Sequence, residues 1–326
     1  MTDNALTTHR RELGSSGLEV SAIGFGCWAI GGPHTRDGNP IGWGVVDDDE
    51  SVAAIHAALD EGVTFFDTAD VYGCGHSERV LARALAGRRD GIVVATKFGF
   101  TYDEDKRESP GTDASPAYVR TACEASLRRL ETDVIDLLQF HLGGCEPAAA
   151  EEVLGALEQL VDEGKIRSYG WSTDDPGRAV MFASRPHCGA IQQSFSVLGG
   201  NKETLAVCER NNVASIVRGP LGMGVLSGKM RPDTRFADDD VRRGWDFGGA
   251  QADTLASVDK VRDILASNGR TLAQGALCWL LARSPVFVPI PGVRTVAQAR
   301  ENAGALRHGP LSAAEMSAVD EALGRG

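Results

Sequence analysis

Two hydrophobic rhythms alternate along the chain: short β-branched or aromatic runs, and stretches whose apolar residues return every three or four positions. Runs of the first kind begin near Val20 (VSAIGFGC), Val63 (VTFFDTA), Gly91 (GIVVATKFG), Asp133 (DVIDLLQFH), Ile166 (IRSYGWST), Gly189 (GAIQQSFS), Ala214 (ASIVRGP) and Val286 (VFVPIPG). They read as eight strands. Helical segments lie between them. One covers residues 51–61, where Val52, Ile55 and Leu59 share a face toward the strands, with Asp47-Asp48-Asp49 before it and Gly62 after it. Ser115-Pro116 opens a second that runs to Glu131, because proline at the first helical position forfeits no hydrogen bond. A third spans 148–163 and stops at Gly164.

Eight strands, each followed by a helix, close most naturally into a parallel (β/α)8 TIM barrel, since runs apolar on both faces need cover on both. An opening β-hairpin (RELGSSGLEV) precedes the first strand and is placed to plug the bottom of the barrel. Long insertions at 29–48 and 221–250 follow strand C-termini, the face on which such barrels carry their sites. Nothing repeats beyond the βα unit and no linker interrupts it, so residues 1–326 read as a single domain.

Composition then excludes several classes. Hydrophobic residues make up 42% and charged residues 24%, a balance that supports a folded core. Lys and Arg number 33 against 45 Asp and Glu, a net charge of −12, which disfavours nucleic acid and anionic membrane as partners. An anionic ligand must therefore be held by a local cluster of donors. No apolar run approaches the roughly 20 residues of a membrane helix, and the N-terminus lacks the apolar core of a signal peptide. Seven cysteines without a CxxC pair, and scattered histidines, point to reduced cytoplasmic thiols and no metal site. Oligomeric state leaves no signature.

Four residues carry the candidate chemistry. Asp67 ends strand two, Tyr72 follows it in DTADVYG, Lys97 ends strand three and His141 ends strand four, so a barrel brings all four to one mouth. A Tyr hydroxyl, ordinarily near pKa 10, needs a neighbouring cation to act as an acid at neutral pH. Lys97 supplies that charge, Asp67 fixes the lysine, and His141 orients a carbonyl oxygen or helps pass the proton.

With these motifs in order, the sequence resembles the aldo-keto reductase superfamily, in particular its bacterial-type members. The likeness runs from GFGCW through DTADVYGCGHSE, VATKFG, DVIDLLQFH, GKIRSYGWST and GPLGMGVLSGK to IPGVRTVAQARENAGAL. It implies reduction of an aldehyde or ketone, including sugar-like carbonyls, with NADPH as cofactor, NADH as an alternative, and Tyr72 as acid/base.

The Rossmann fingerprint is absent, so the cofactor residues rest on the likeness. It implies cofactor contacts from Gly26, Cys27, Trp28 and Asp67, and from Ser172 and Gln192 at the nicotinamide amide. It further implies Arg218 against the nicotinamide, and Leu221, Gly222, Gly224, Leu226 and Lys229 around the pyrophosphate. Gly292, Arg294, Gln298 and Asn302 would hold the adenosine end, where a helix N-terminus favours an anion. Thr173 stands where the family usually has Asn, and Gly292-Val293 replaces a Lys-Ser pair, leaving Arg294 as the 2′-phosphate ligand. The substrate pocket is expected from Trp28, Tyr72, Phe100, His141 and Leu142, with Trp245 and Phe247 from the second insertion. Two other functions fit parts of the pattern: a Schiff-base lyase using Lys97, and a cofactor-sensing binding subunit.

Overall fold

Eight parallel strands carry the architecture: Phe25–Gly26, Phe65–Asp67, Val93–Phe98, Ile135–Phe140, Ile166–Ser172, Cys188–Ser196, Ala214–Arg218 and Phe287–Pro289. Each pairs with the next in this order. The computed structural model describes residues 10–325, and its first and last barrel strands also meet. The Gly24 N–H donates to the Pro289 carbonyl at 2.9 Å and the Gly26 N–H to that of Pro291 at 3.0 Å. Gly26 also bridges Gly292 in parallel. Only glycine permits this approach, because a Cβ on Gly26 would stand 2.7 Å from the Ile290 oxygen. The sheet is thus curled and TIM-barrel-like, with helices around it.

The helices start where the sequence offers caps. Asp47 accepts from the N–H groups of Asp49 and Glu50, so the helix expected from residue 51 begins at Asp48 and spans Asp48–Asp60. Ser115 caps Pro116–Arg129 through the Tyr118 N–H, and Pro147 opens Pro147–Asp162. Their apolar faces pack on the outside of the strands, as Val119, Val153 and Leu157 do against Ile135 and Leu138.

Alternate residues of each strand face the barrel interior. Phe65, Ala95, Leu137, Ala190, Ile216 and Val288 share one buried cluster there. The hairpin Arg10–Glu12 with Glu19–Ser21 closes the lower end, as Leu13, Leu18 and Val20 complete the same cluster. Two residues further up five of these strands stand Asp67, Lys97, Gln139, Gln192 and Arg218, where the interior turns polar.

Two features differ from the sequence reading. The run at Val20 is two strands, because Glu19–Ser21 pairs with the hairpin while Phe25–Gly26 joins the barrel. A further insertion follows the third barrel strand: Phe100–Asp103 pairs antiparallel with Glu108–Thr112, and this hairpin joins Thr35–Arg36 and Asn39–Pro40 in a four-stranded sheet beside the mouth. Its alternation is short and interrupted by charge, which hides it from a periodicity reading.

Candidate active site

Strand register sets the centre. Lys97 is paired with Gln139, and Asp67 with Ala95, two residues below the lysine. Lys97 is 0% and Asp67 2% exposed. The lysine ammonium donates to the Asp67 carboxylate, to the Thr68 carbonyl at 2.7 Å and to the Tyr72 hydroxyl at 3.3 Å. Those are the three protons an ammonium has. The other Asp67 oxygen accepts from the amides of Gln139 and Gln192, each at 2.8 Å, and Gln192 also donates to Gln139 at 3.1 Å. The buried ion pair is therefore fully hydrogen-bonded, the condition on which such a pair is tolerated.

Around the Tyr72 hydroxyl stand flat side chains. Trp28 stacks on Tyr72 with centroids 6.0 Å apart, His141 meets Tyr72 edge-on at 5.9 Å, and Phe100 meets His141 at 5.2 Å. The Trp28 indole is fixed by donation to the Ile41 carbonyl at 3.1 Å and by an edge contact with Trp43 at 5.3 Å. Arg36 lies over Phe100 at 3.9 Å. Leu142 packs where a Cβ on Gly99 would go. The structure thus brings Trp28, Tyr72, Phe100, His141 and Leu142 together.

The electrostatics follow from burial. Burial pushes the Tyr72 hydroxyl above its ordinary pKa, and the Lys97 ammonium pulls the other way without winning. The lowering expected from Lys97 is thus present only as an opposing pull, because loss of water costs the phenolate more than one shared cation returns. Burial also works against the Lys97 ammonium, but Asp67 and Tyr72 hold it above its ordinary value, so it stays charged. His141 is pushed well below the ordinary imidazole value by burial and by Lys97, Arg218 and Arg36. It is neutral, and its Nδ1 is buried with no partner. Near the centre lies a second acid, Asp70, 1% exposed, whose carboxylate oxygens have no hydrogen-bond partner among the described residues. Burial and the neighbouring Glu78 raise it well above a usual carboxyl, although Arg129, bonded to Glu78 at 2.6 Å, opposes them.

The expected cofactor residues fall into three groups. Ser172 and Gln192 are register partners on adjacent strands at the mouth. Arg218 ends its strand there and pairs with Asp174, whose other oxygen accepts from the Ser194 N–H at 2.6 Å. Thr173 is committed elsewhere, donating to the Gly143 carbonyl at 2.9 Å. The stretch Gly222–Ser227 turns through left-handed backbone at Gly222, Met223 and Gly224, and the exposed Lys229 beside it makes no ion pair among the described residues. Arg294 does not pair with an acid: it donates to the carbonyls of Trp43 at 2.8 Å and Val45 at 2.7 Å, while its N–H is taken by Gln298. The helix N-terminus next to it is partly satisfied by Glu50, which accepts from the Val296 N–H at 2.9 Å.

Five residues expected at the site are more deeply packed than the sequence reading supposes. Phe247 is 1% exposed in the cluster containing Leu226 and Leu277, with Trp245 packed on it at 5.8 Å, so both anchor the second insertion and do not join the Tyr72 wall. Leu226 and the Cys27 side chain are likewise buried in apolar clusters, which leaves only their backbone for a ligand. Asn302 is buried in its helix. Sequence reading missed Gln139, Trp43 and Asp174. A lone glutamine within the apolar strand DLLQFH was a signal for the first.

Comparisons with known proteins agree on one family. The model of the Aldo/keto reductase family matches residues 22–323. An aldo-keto reductase [NADP(+)] of Schizosaccharomyces pombe is 32% identical over 96% of this chain and 90% of its own length. Among solved structures, the glycerol dehydrogenase of Gluconobacter oxydans is 32% identical with a TM-score of 0.85, covering 98% of this chain and 96% of that one. An aldo/keto reductase of Klebsiella pneumoniae, in complex with NADP and acetate, is 27% identical with a TM-score of 0.71, covering 95% and 94%.

Proposed function

Because the chain belongs to the aldo/keto reductase family, we propose that this oxidoreductase reduces an aldehyde or ketone to an alcohol with NADPH, using Tyr72 as the proton donor. The carrying observation is the Tyr72 hydroxyl held 3.3 Å from a buried ammonium whose other protons bind Asp67 and Thr68. Tyr72 stays protonated at neutral pH because burial raises it, as a donor must. When the proton leaves for the carbonyl oxygen, Lys97 stands beside the new phenolate and stabilises it. His141, neutral and with an unpartnered Nδ1, orients the carbonyl without competing as an acid.

The residues at the mouth fit a dinucleotide. The left-handed turn at Gly222–Gly224 and the free Lys229 suit a pyrophosphate, Ser172 and Gln192 an amide, Arg218 the nicotinamide ring, and Gly292, Arg294 and Gln298 the adenosine end. When bound, NADPH supplies the hydride for the carbonyl carbon. The same reading takes residues 1–326 as one barrel domain and places the protein in the cytoplasm, consistent with its seven free cysteines. No described helix is long and apolar enough to cross a membrane. The Schiff-base alternative is disfavoured, since a nucleophilic amine needs a free lone pair and Lys97 is held protonated.

NADPH oxidation with a panel of aldehydes and ketones tests the reading. Wild type turns over at least one, and Tyr72→Phe loses about 10²- to 10⁴-fold in rate while still binding NADPH. A Phe variant with wild-type turnover would remove Tyr72 from the chemistry; a chain that binds NADPH and reduces no carbonyl would instead be the sensing subunit.

A further inference from the structure

Away from the mouth, the hairpin, strand Cys188–Ser196 and three helices border a groove of about 930 Å³. Its apolar lining includes Phe195, Trp279, Leu311 and Met316, and none of the candidate active-site residues line it. Charged residues there are Arg11 of the hairpin, Lys202 at the start of Lys202–Asn211, Arg283 at the end of Leu272–Arg283, and Arg325 beyond Ala313–Ala322. Asp320 is the one acid among the lining residues. In a chain of net charge −12, a four-to-one excess of cations in one groove reverses the local sign.

No carboxylate among the described residues pairs with these cations, although Arg325 lies over the Trp279 ring at 5.8 Å. The two that hydrogen-bond do so only to backbone: Arg11 to Arg10 and Arg325 to Val197. Among the described residues, two buried donors of the lining side chains have no hydrogen-bond partner: the indole N–H of Trp279, a residue 1% exposed, and Nε of Arg11. Buried N–H groups are nearly always satisfied, so orphans of this kind mark where an acceptor is missing. Like charges gathered without counter-charges repel one another, and an anion in the groove relieves that repulsion.

We infer that the groove is a second ligand site and takes an amphipathic carboxylate, its head among Arg11, Lys202, Arg283 and Arg325 and its apolar body along Trp279, Leu311 and Met316. The volume lies in the range of small-molecule sites. Guanidinium forks suit a carboxylate, and their stems cover apolar surface. A bare inorganic anion would leave the apolar lining unused.

Hydrogen–deuterium exchange on the full chain with NADPH, using decanoate as probe and decanol as its neutral match, tests the site. Decanoate is expected to protect residues 195–202, 272–285 and 310–325, and decanol at the same concentration is not. Lys202→Glu with Arg283→Glu, one exposed and one half-buried and both away from the mouth, should weaken decanoate by tenfold or more and leave carbonyl turnover at the wild-type rate. Protection confined to the barrel mouth, equal protection by decanol, or an affinity unchanged in the double variant would each overturn the assignment. The outcome does not depend on which carbonyl the enzyme reduces.

Discussion

Lys97 holds its neighbours in place by using every proton it carries, so replacing it has two separate effects. Lys97→Met leaves Asp67 buried with only the Gln139 and Gln192 amides, an uncompensated charge that costs about 3–5 kcal/mol of stability. It also removes the cation beside Tyr72, and carbonyl turnover should fall at least as far as in the tyrosine variant. Urea melts and turnover measured together check this; an equally stable, active variant contradicts it. The pH profile follows from the same residues. A Tyr72 pKa raised by burial keeps the proton available, so carbonyl reduction should decline only as pH rises through that raised value, and alcohol oxidation should climb over the same range. His141 is pushed down from 6.5, so neither rate should inflect there; an inflection near 6.5 that His141→Gln abolishes would show a charged imidazole. Residue types at strand ends made this centre legible in the sequence. The sign of the tyrosine shift was not, because it depends on how much water the fold removes.

The elements around the mouth explain which cofactor contacts sequence could find. Strands announce themselves by period, so Asp67, Lys97 and His141 could be placed at strand ends, whereas Ser172 and Gln192 rest only on the family likeness. The insertions have no period, and their aromatic residues divide by packing: Trp43 goes to Trp28, whereas Trp245 and Phe247 go to the core. Arg294 links the two kinds of element. It begins the last βα connection yet binds the carbonyls of Trp43 and Val45 in the first insertion. Arg294→Ala should weaken NADPH roughly ten- to a hundredfold, the worth of a charge-assisted hydrogen bond, with a smaller loss for NADH from the loosened insertion. Fluorescence titration of both cofactors decides, and equal losses would mean that Arg294 serves the loop and does not read the 2′-phosphate.

At the scale of the whole molecule, the protein tolerates a buried acid that weakens it. Among the described residues the Asp70 carboxylate accepts no geometric hydrogen bond, and its folded pKa is raised above 3.8, the value expected when unfolded. Its contribution to stability is therefore complete below that lower value and is lost as pH rises toward the folded one. Asp70→Asn should leave the protein nearly unchanged at acid pH and more stable than wild type at neutral pH, the gap growing by up to about 1.4 kcal/mol per pH unit between the two values. Melting temperatures at several pH values test this; a gap independent of pH would show Asp70 ionised in the fold.

The hairpin floor has a kinetic consequence. With Leu13, Leu18 and Val20 packed into the base of the interior, the barrel is a vessel with one doorway, and reactants and products must share it. Whichever molecule seats deepest is then expected to arrive first and depart last, so an ordered sequence of binding is the outcome predicted from shape. The doorway is framed by the joined insertions, where the Val241 N–H donates to the Gly42 carbonyl at 2.8 Å and Arg242 lies over Trp43 at 4.4 Å. Traffic through that frame, and not the proton transfer at Tyr72, is then the step that loosening Arg242 would accelerate: Arg242→Ala should raise the rate of product release in a pre-steady-state burst experiment while the burst itself keeps its speed.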